Sequence, residues 1–409
     1  TMVADHLMEK GISVGKFIPI VEYPLPGKPV DIDTNKEARQ SYKRDCAEVY
    51  NKRADVFRRS CRTRMTIEAV KLFKDKEKFF IPHSFDYRGR MYPIPSFLTM
   101  QDTDFGKSLL KFYEGAKLTS DAEDWLSFQV ATTWGLDKAT IKDRLDWTTN
   151  NHHHIIRVAE DPIGCLPDWE GAEEPWLFLA ACDEYYHCCI KRDRDYTALP
   201  VAVDATCSGL QILAGLCRDA RTASLVNVLP GDRPQDAYRA VAEASHPNIP
   251  ERWREHVDRG VAKRLVMTIP YNTKFKSNWN YVNSALNDPI DRGGKALNVP
   301  KDDVTIITHA LREAAFDTFP GPMRVMKWIE KEVAKAIKRG DTEIEWVTPS
   351  GFVVSQKLMK KQTQVCDLKI LGRCEVKIAI GDSDKVDINH HKNATSPNLI
   401  HSLDASILH

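Results

Sequence analysis

Arg259, Lys263, Met267 and Tyr271 recur at intervals of four within RGVAKRLVMTIPYN, residues 259–272. At about 3.6 residues per turn each step drifts by only about 40°, so the four share one winding stripe of a helix. Lys263 and Tyr271 then lie about 12 Å apart, the scale of a nucleoside triphosphate laid along the helix. Cations at one end suit phosphates, and an aromatic at the other suits a base and sugar. Pro270 removes a helical hydrogen bond, so the helix is expected to kink or end there and leave Tyr271 at its tip. The alternative is an amphipathic core helix whose Lys and Arg reach out to water. The spacing admits both.

A second feature is the run Leu199–Val203, which reads as a short apolar strand ending at Asp204 and followed by ATCSG, residues 205–209. A carboxylate at a strand end can present its oxygens to a hard cation. The small residues after it let a phosphate approach the backbone closely. The alternative is a structural Asp that caps the following helix.

Other reactive side chains carry less. The ten cysteines are scattered through 409 residues, which fits reduced thiols in a cytosolic compartment. Cys182, His187, Cys188 and Cys189 lack the C-x-x-C spacing of a zinc site and read as buried thiols on a helix. His152, His153 and His154 follow two asparagines and read as a solvated helix start, since no carboxylate or thiol has ligand spacing to them.

These residues need elements to hold them. Residues 23–33 are Pro-rich and read as an extended connector. From Asn35 to about Phe73 the pattern is helical, with Tyr42, Cys46, Val49, Tyr50, Val56, Phe57 and Met65 as the expected buried positions. Residues 79–100 suggest short strands and loops, and helices are expected over 121–159, 173–192 and 234–269. Residues 343–355 suggest a hairpin turning at Pro349, Ser350 and Gly351. There is no internal repeat. The mixture is α+β with helices dominating.

The length suffices for two or three packed subdomains. No apolar run approaches the roughly 20 residues a membrane span needs, so no membrane partner is expected. The formal charge of +1 decides nothing, but its distribution is uneven. Between Lys36 and Lys78 there are fourteen Lys or Arg against seven Asp or Glu. That stretch suits either a phosphate-tracking surface or a solvated helix face laced with ion pairs. The chain opens on Thr1 without a leader and stops at His409 in mid-pattern, and we read it as an internal piece of a longer polypeptide.

Taken together and in order, the motifs resemble those of the single-subunit, bacteriophage-type DNA-directed RNA polymerases, the family that includes the mitochondrial enzymes. DYRGRMYP at 86–93 is similar to that family's template-contacting Arg-Gly-Arg loop, and GAEEPWLFLAACDEY at 171–185 to its palm helix. DATCSGLQ at 204–211 resembles its first catalytic motif and KRLVMTIPY at 263–271 its second. EWVTPSG at 345–351 and SPNLIHSLDAS at 396–406 resemble its late fingers segments. The likeness covers nearly the whole chain.

The resemblance implies a right-hand polymerase, with palm and fingers, a helical thumb remnant and a palm incomplete at its C-terminus. The thumb end and connector would be 1–78 and the first part of the palm 79–232. The fingers would be 233–400, and 401–409 would begin the return to the palm. Asp204 would bind Mg²⁺, the implied cofactor, with the Ala205 carbonyl as a further ligand. Arg259 and Lys263 would hold the incoming triphosphate, and Lys263 would protonate the leaving pyrophosphate. Met267 would line the same nucleotide site. Tyr271 and His401 would recognise the ribose, and Arg88 and Arg90 would contact the template or hybrid. The partners implied are a DNA template, an RNA product and ribonucleoside triphosphates, for a monomer. The compact spacing favours a phage protein in the cytoplasm of an infected bacterium, the alternative being a mitochondrion or plastid.

Two features depart from the pattern. Asn272 stands where many relatives carry Gly. The family's second metal carboxylate lies in a His-Asp hairpin beyond the HSLDAS segment, so Asp404, in the order His-Ser-Leu-Asp, is not assigned to the metal. The expectation is that this 409-residue piece alone does not polymerise, and that Tyr271→Phe in the full-length enzyme relaxes the choice of ribose over deoxyribose. Two rivals stand beside this reading. One is a related repair-type DNA polymerase, disfavoured because no acid follows Asp204 before Gly209. The other is a catalytically silent nucleic-acid-binding module, which leaves Asp204 and Lys263 unexplained.

Overall fold

The structure is a computed structural model that describes residues 1–19, 22–288, 296–368 and 374–409. It is α+β and helix-dominated, with its strands confined to two-stranded sheets among the described residues. The chain forms two compact units, Thr1–Ser84 with Pro93–Val203, and Phe85–Tyr92 with Asp204–His409. No described helix is long and apolar enough to cross a membrane.

The first unit is built round aromatic rings. Phe17, Phe105 and Trp176 sit with centroids 4.8–4.9 Å apart, Trp169 lies 5.5 Å from Trp176, and all four are buried. Such close tilted and edge-on pairs add to the large apolar area that each ring removes from water. The Pro175–Tyr185 helix supplies Trp176, Phe178 and Cys182 to this core and opens on a proline, which suits a first helical turn. It runs on as a π-helical turn over Tyr186–Ile190. Glu184 is buried at its end, with Lys111 at 2.7 Å, Arg194 at 3.0 Å and the Thr197 hydroxyl at 2.8 Å as partners. A buried carboxylate persists only when paired and hydrogen-bonded in this way.

The expected helix start at residue 152 is present, but only His153 is exposed. His152 meets the Tyr185 hydroxyl at 3.0 Å, and His154 donates to the Asp168 carbonyl at 2.7 Å. Cys182 and Cys188 are buried thiols on the expected helical stretch, and burial pushes the thiols of Cys188 and Cys189 up to about 11 and about 12.

The Lys36–Phe73 helix begins where expected, with the Asn35 side chain accepting from the Glu37 and Ala38 amides. Its buried face differs from the expectation. Of the seven positions named, only Val56 is buried, while Tyr50, Phe57 and Met65 are exposed. The face that packs is Val56, Ser60, Thr63 and Thr66. Its threonine hydroxyls are satisfied by distant partners: Thr63 accepts from the Ile18 amide at 3.1 Å, and Thr66 donates to Asp102 at 3.2 Å. Arg53 and Arg64 instead lie over the outward Tyr50 and Phe57 rings.

The second unit is a helical body with two hairpins. Leu210, Leu213, Val241, Leu265, Val266, Ile307, Leu311 and Phe319 form its centre. The helices Ala237–Ser245, Arg259–Thr268, Phe275–Asn287 and Lys301–Thr318 pack round it. The expected hairpin pairs Ile344–Val347 with Val353–Gln356. Its turn closes by a bond from the Gly351 amide to the Thr348 carbonyl. A longer hairpin, Met359–Leu368 with Cys374–Val386, was not foreseen by the patterning and carries two register shifts near Met359–Thr363. The chain closes with the Ile388–Leu408 helix, which holds Pro397 internally.

Candidate active site

Every candidate residue, from Arg88 to His401, falls in the second unit. The Arg259–Thr268 helix starts at Asp258, whose side chain caps the Val261 amide. Val261, Ala262, Leu265 and Val266 are buried, which turns Lys263 and Met267 outward. The helix then tightens to a 3₁₀ turn over Ile269–Tyr271 and ends, as Pro270 requires.

Tyr271 at the tip is half-buried, and its ring centroid lies 4.7 Å from that of His401. Burial raises the phenol's pKa against a hydrogen bond from Ser208 and the nearby charge of Arg90. Gly209 is what permits this approach. A Cβ there would stand 3.0 Å from Pro270 Cβ and 3.4 Å from the Tyr271 hydroxyl, so any larger residue would press on the tip.

His401 is held by the Asp86–Arg90 turn. Arg88 Nη1 donates to His401 Nδ1 at 2.7 Å. A guanidinium can only donate, so Nδ1 accepts and the neutral ring carries its proton on Nε2. Burial, together with Arg90 and Arg88, holds the imidazole down at about 4. Arg88 is itself clamped by Asp86, which accepts at 2.6 and 2.9 Å. Arg90 pairs with Asp404 at 2.7 Å. Asp404, left out of the metal set by its place in the motif, is thus occupied by a cation. The turn is shaped by Gly89 at φ 84°, where a Cβ would crowd the Phe352 ring at 3.1 Å. The two arginines expected at the template therefore spend much of their charge inside the site.

The other end is built differently. Arg259 donates to Asp236 at 2.6 Å and lies 5.3 Å from the centroid of the Tyr238 ring. The Tyr238 hydroxyl donates to the Thr206 carbonyl at 2.9 Å, which ties Arg259's surroundings to the segment after Asp204. Asp236 and Tyr238 were missed by the motif reading. Asp236 does show the local signature of a helix cap, and its side chain accepts from the Tyr238 and Arg239 amides. Lys263 is exposed and makes no ion pair among the described residues.

Asp204 corrects an expectation. Leu199–Val203 is not a strand: the only pairing nearby joins Tyr196–Thr197 to Ala116–Lys117. A strand needs ladder partners, and the Ala202 amide is satisfied by the Gln129 side chain instead, at 3.1 Å. Nor is Asp204 a helix cap. The Ser208–Cys217 helix starts at Cys207 without a side-chain cap, and among the described residues Asp204 accepts only from the adjacent Ala205 amide, at 2.9 Å. The carboxylate is exposed. With the Ala205 carbonyl it offers the hard oxygens that Mg²⁺ takes. Among the described residues no group of three or more His, Cys, Asp or Glu converges to hold a metal.

The profile of the DNA-dependent RNA polymerase family matches residues 116–409. The chain is 28% identical to the DNA-directed RNA polymerase of Enterobacteria phage K11, over 98% of the chain and 49% of that protein. It is 28% identical to the T7 RNA polymerase of Escherichia phage T7, over 97% and 51%. It is also 29% identical to the DNA-directed RNA polymerase 2, chloroplastic/mitochondrial, of Arabidopsis thaliana, over 99% and 41%. The chain spans about half the length, or less, of these relatives. It belongs to the DNA-dependent RNA polymerase family, in its single-subunit phage type.

Proposed function

We propose that this chain carries the nucleotide-binding part of a DNA-directed RNA polymerase, which adds ribonucleotides to a growing RNA on a DNA template and releases pyrophosphate. The observation that carries the reading is the helix that exposes Lys263 in mid-length and, at its tip, holds Tyr271 against a neutral His401. An exposed ammonium suits a triphosphate. A phenol and an imidazole with a free Nε2–H suit a ribose hydroxyl. Arg259, steadied by Asp236, would meet the phosphates beside Lys263, and Met267 would line the path between them. Lys263 would also donate a proton to the leaving pyrophosphate. In-line phosphoryl transfer is mostly positioning and charge neutralisation. Mg²⁺, when bound at Asp204 and the Ala205 carbonyl, supplies that neutralisation.

Ribonucleotide use is favoured over deoxyribonucleotide use because residues 205–209, ATCSG, place no acidic side chain after Asp204 to fill the space of a 2′-hydroxyl. Arg88 and Arg90 would face the template or hybrid through what their internal partners leave exposed. On this reading 1–78 is the end of a thumb and a connector, 79–232 the first part of a palm, 233–400 the fingers, and 401–409 the return. The test is Mg²⁺-dependent binding of a fluorescent ribonucleoside triphosphate by the chain. The Mg²⁺-dependent component is expected to disappear in Asp204→Asn. Binding indifferent to both Mg²⁺ and that substitution would overturn the assignment.

A further inference from the structure

Asn272 ends the helix tip with its backbone in the left-handed region, at φ 57°. Asparagine visits that region more readily than other residues that carry a Cβ, but glycine would serve the backbone as well. What glycine lacks is the side chain's work. Asn272 Nδ2 donates to Glu330 Oε1 at 2.6 Å and to the Asn393 carbonyl at 3.4 Å. Lys274 Nζ closes the group, donating to Asn393 Oδ1 at 2.7 Å and to Asn272 Oδ1 at 3.4 Å. Glu330 belongs to the Pro320–Arg339 helix, and Asn393 to the Ile388–Leu408 helix that also carries His401 and Asp404. Asn393 and His401 are eight residues apart, about 12 Å along that helix. One amide therefore joins the tip that bears Tyr271 to the helix that bears Tyr271's partner.

We propose that Asn272 is a positioning residue that fixes Tyr271 against His401 by tying the helix tip to Glu330 and Asn393. The bond to Glu330 is charge-assisted, short and half-buried, so it is stronger than an ordinary amide contact. Without the Asn272 amide the tip keeps its fold but loses its tether to two helices. Tyr271 is then free to drift from a ring that Arg88 holds at Nδ1. The consequence for ribose choice rests on the function proposed above, whereas the positioning itself does not.

The experiment follows the His401 imidazole by NMR in the 409-residue chain, assigned by His401→Gln, in Asn272→Gly, Glu330→Ala and Glu330→Gln. Asn272→Gly and Glu330→Ala are expected to raise the imidazole titration from about 4 toward its ordinary value as the Tyr271 ring loosens. Glu330→Gln, whose carbonyl still accepts, should titrate as the wild type does. The double variant Asn272→Gly/Glu330→Ala should shift no further than either single one. In an RNA-synthesising polymerase that carries the chain, the two disruptive variants should lower ribose-over-deoxyribose preference severalfold, through KM more than kcat. An unchanged His401 titration in both disruptive variants overturns the proposal, as does Glu330→Gln behaving like Glu330→Ala. A shifted titration in a chain whose triphosphate binding is indifferent to Mg²⁺ and to Asp204→Asn supports the positioning and overturns the function instead. A shifted titration with unchanged ribose preference in active enzyme removes the specificity consequence.

Discussion

The two ends of the site are built on opposite plans. Around Tyr271 nearly every polar group has a partner inside the chain: Arg88 with Asp86 and His401, Arg90 with Asp404, and Asn272 with Glu330. Around Asp204 and Lys263 the charges stand in water with almost none. Arg259 lies between, half-committed to Asp236. A paired, partly buried network holds its geometry before any ligand arrives, so it can discriminate shape. Exposed charges of opposite sign hold nothing in place by themselves. They are suited to a ligand that carries its own charge, such as a metal-bound triphosphate. On the proposed function, discrimination would fall to one end and charge capture to the other.

The comparison is broken most directly at the open end. Lys263→Ala removes a cation with no internal partner, so its whole effect should fall on the ligand. A charged hydrogen bond contributes about 1.5–3 kcal/mol, so triphosphate affinity should fall roughly 10- to 100-fold. Thermal stability should hardly move, because an exposed, unpaired side chain is lost. Isothermal titration with a ribonucleoside triphosphate reads the first quantity and a melting curve the second. Equal affinity in mutant and wild type would remove Lys263 from the phosphate site. Arg259→Ala should differ in kind, costing stability as well because Asp236 is left partly buried without its cation.

At the closed end the expected effect is smaller and concerns preference, not affinity. Tyr271→Phe keeps the ring on His401 and deletes one hydroxyl. The affinity ratio for ribo- over deoxyribonucleoside triphosphates should narrow by roughly 10-fold, about the 1.4 kcal/mol of one hydrogen bond. Competition binding with the two nucleotide types measures it. A ratio that stays put would mean that the phenol hydroxyl does not face the sugar.

How much of this was legible in the sequence follows the same division. Features set by neighbours in the chain were readable. The helix end at Pro270, the helix start near Asn35 and the turn at Gly351 each depend on a few consecutive residues. The four-residue spacing also placed Lys263 and Met267 on the outward face. Features set by distant partners were not readable. Arg88 and His401 are separated by 313 positions, and nothing local says that one arginine clamps the other residue's ring nitrogen. The Lys36–Phe73 helix misled for a related reason. Apolar type suggested burial of Tyr50, Phe57 and Met65, yet Ser60, Thr63 and Thr66 are inside because their hydroxyls found partners, Ser60 in the Phe57 carbonyl of its own turn and the threonines elsewhere in the first unit. The strand expected before Asp204 failed because apolar residues alone do not supply a ladder.

The smallest expected effect concerns pH and tests whether the closed end is as firm as its hydrogen bonds suggest. His401 is held at about 4 in the folded chain, by burial first and by Arg90 and Arg88 next, against about 6.5 for a free imidazole. Between those values the unfolded chain takes up a proton that the folded chain refuses. Stability from this group is therefore full above about 6.5 and is lost as pH falls toward about 4. Asp86 is raised by burial but lowered further by its bonds from Arg88 and Arg90, so it stays ionised and adds little to the slope in the same window. The urea midpoint of wild type should fall between pH 7 and pH 4.5 more steeply than that of His401→Gln, whose neutral side chain takes up no proton. At the open end Lys263→Ala should leave the slope as it is. Identical slopes in wild type and His401→Gln would mean that the imidazole is protonated in the folded chain, and the tautomer assigned from the Arg88 contact would fall with it.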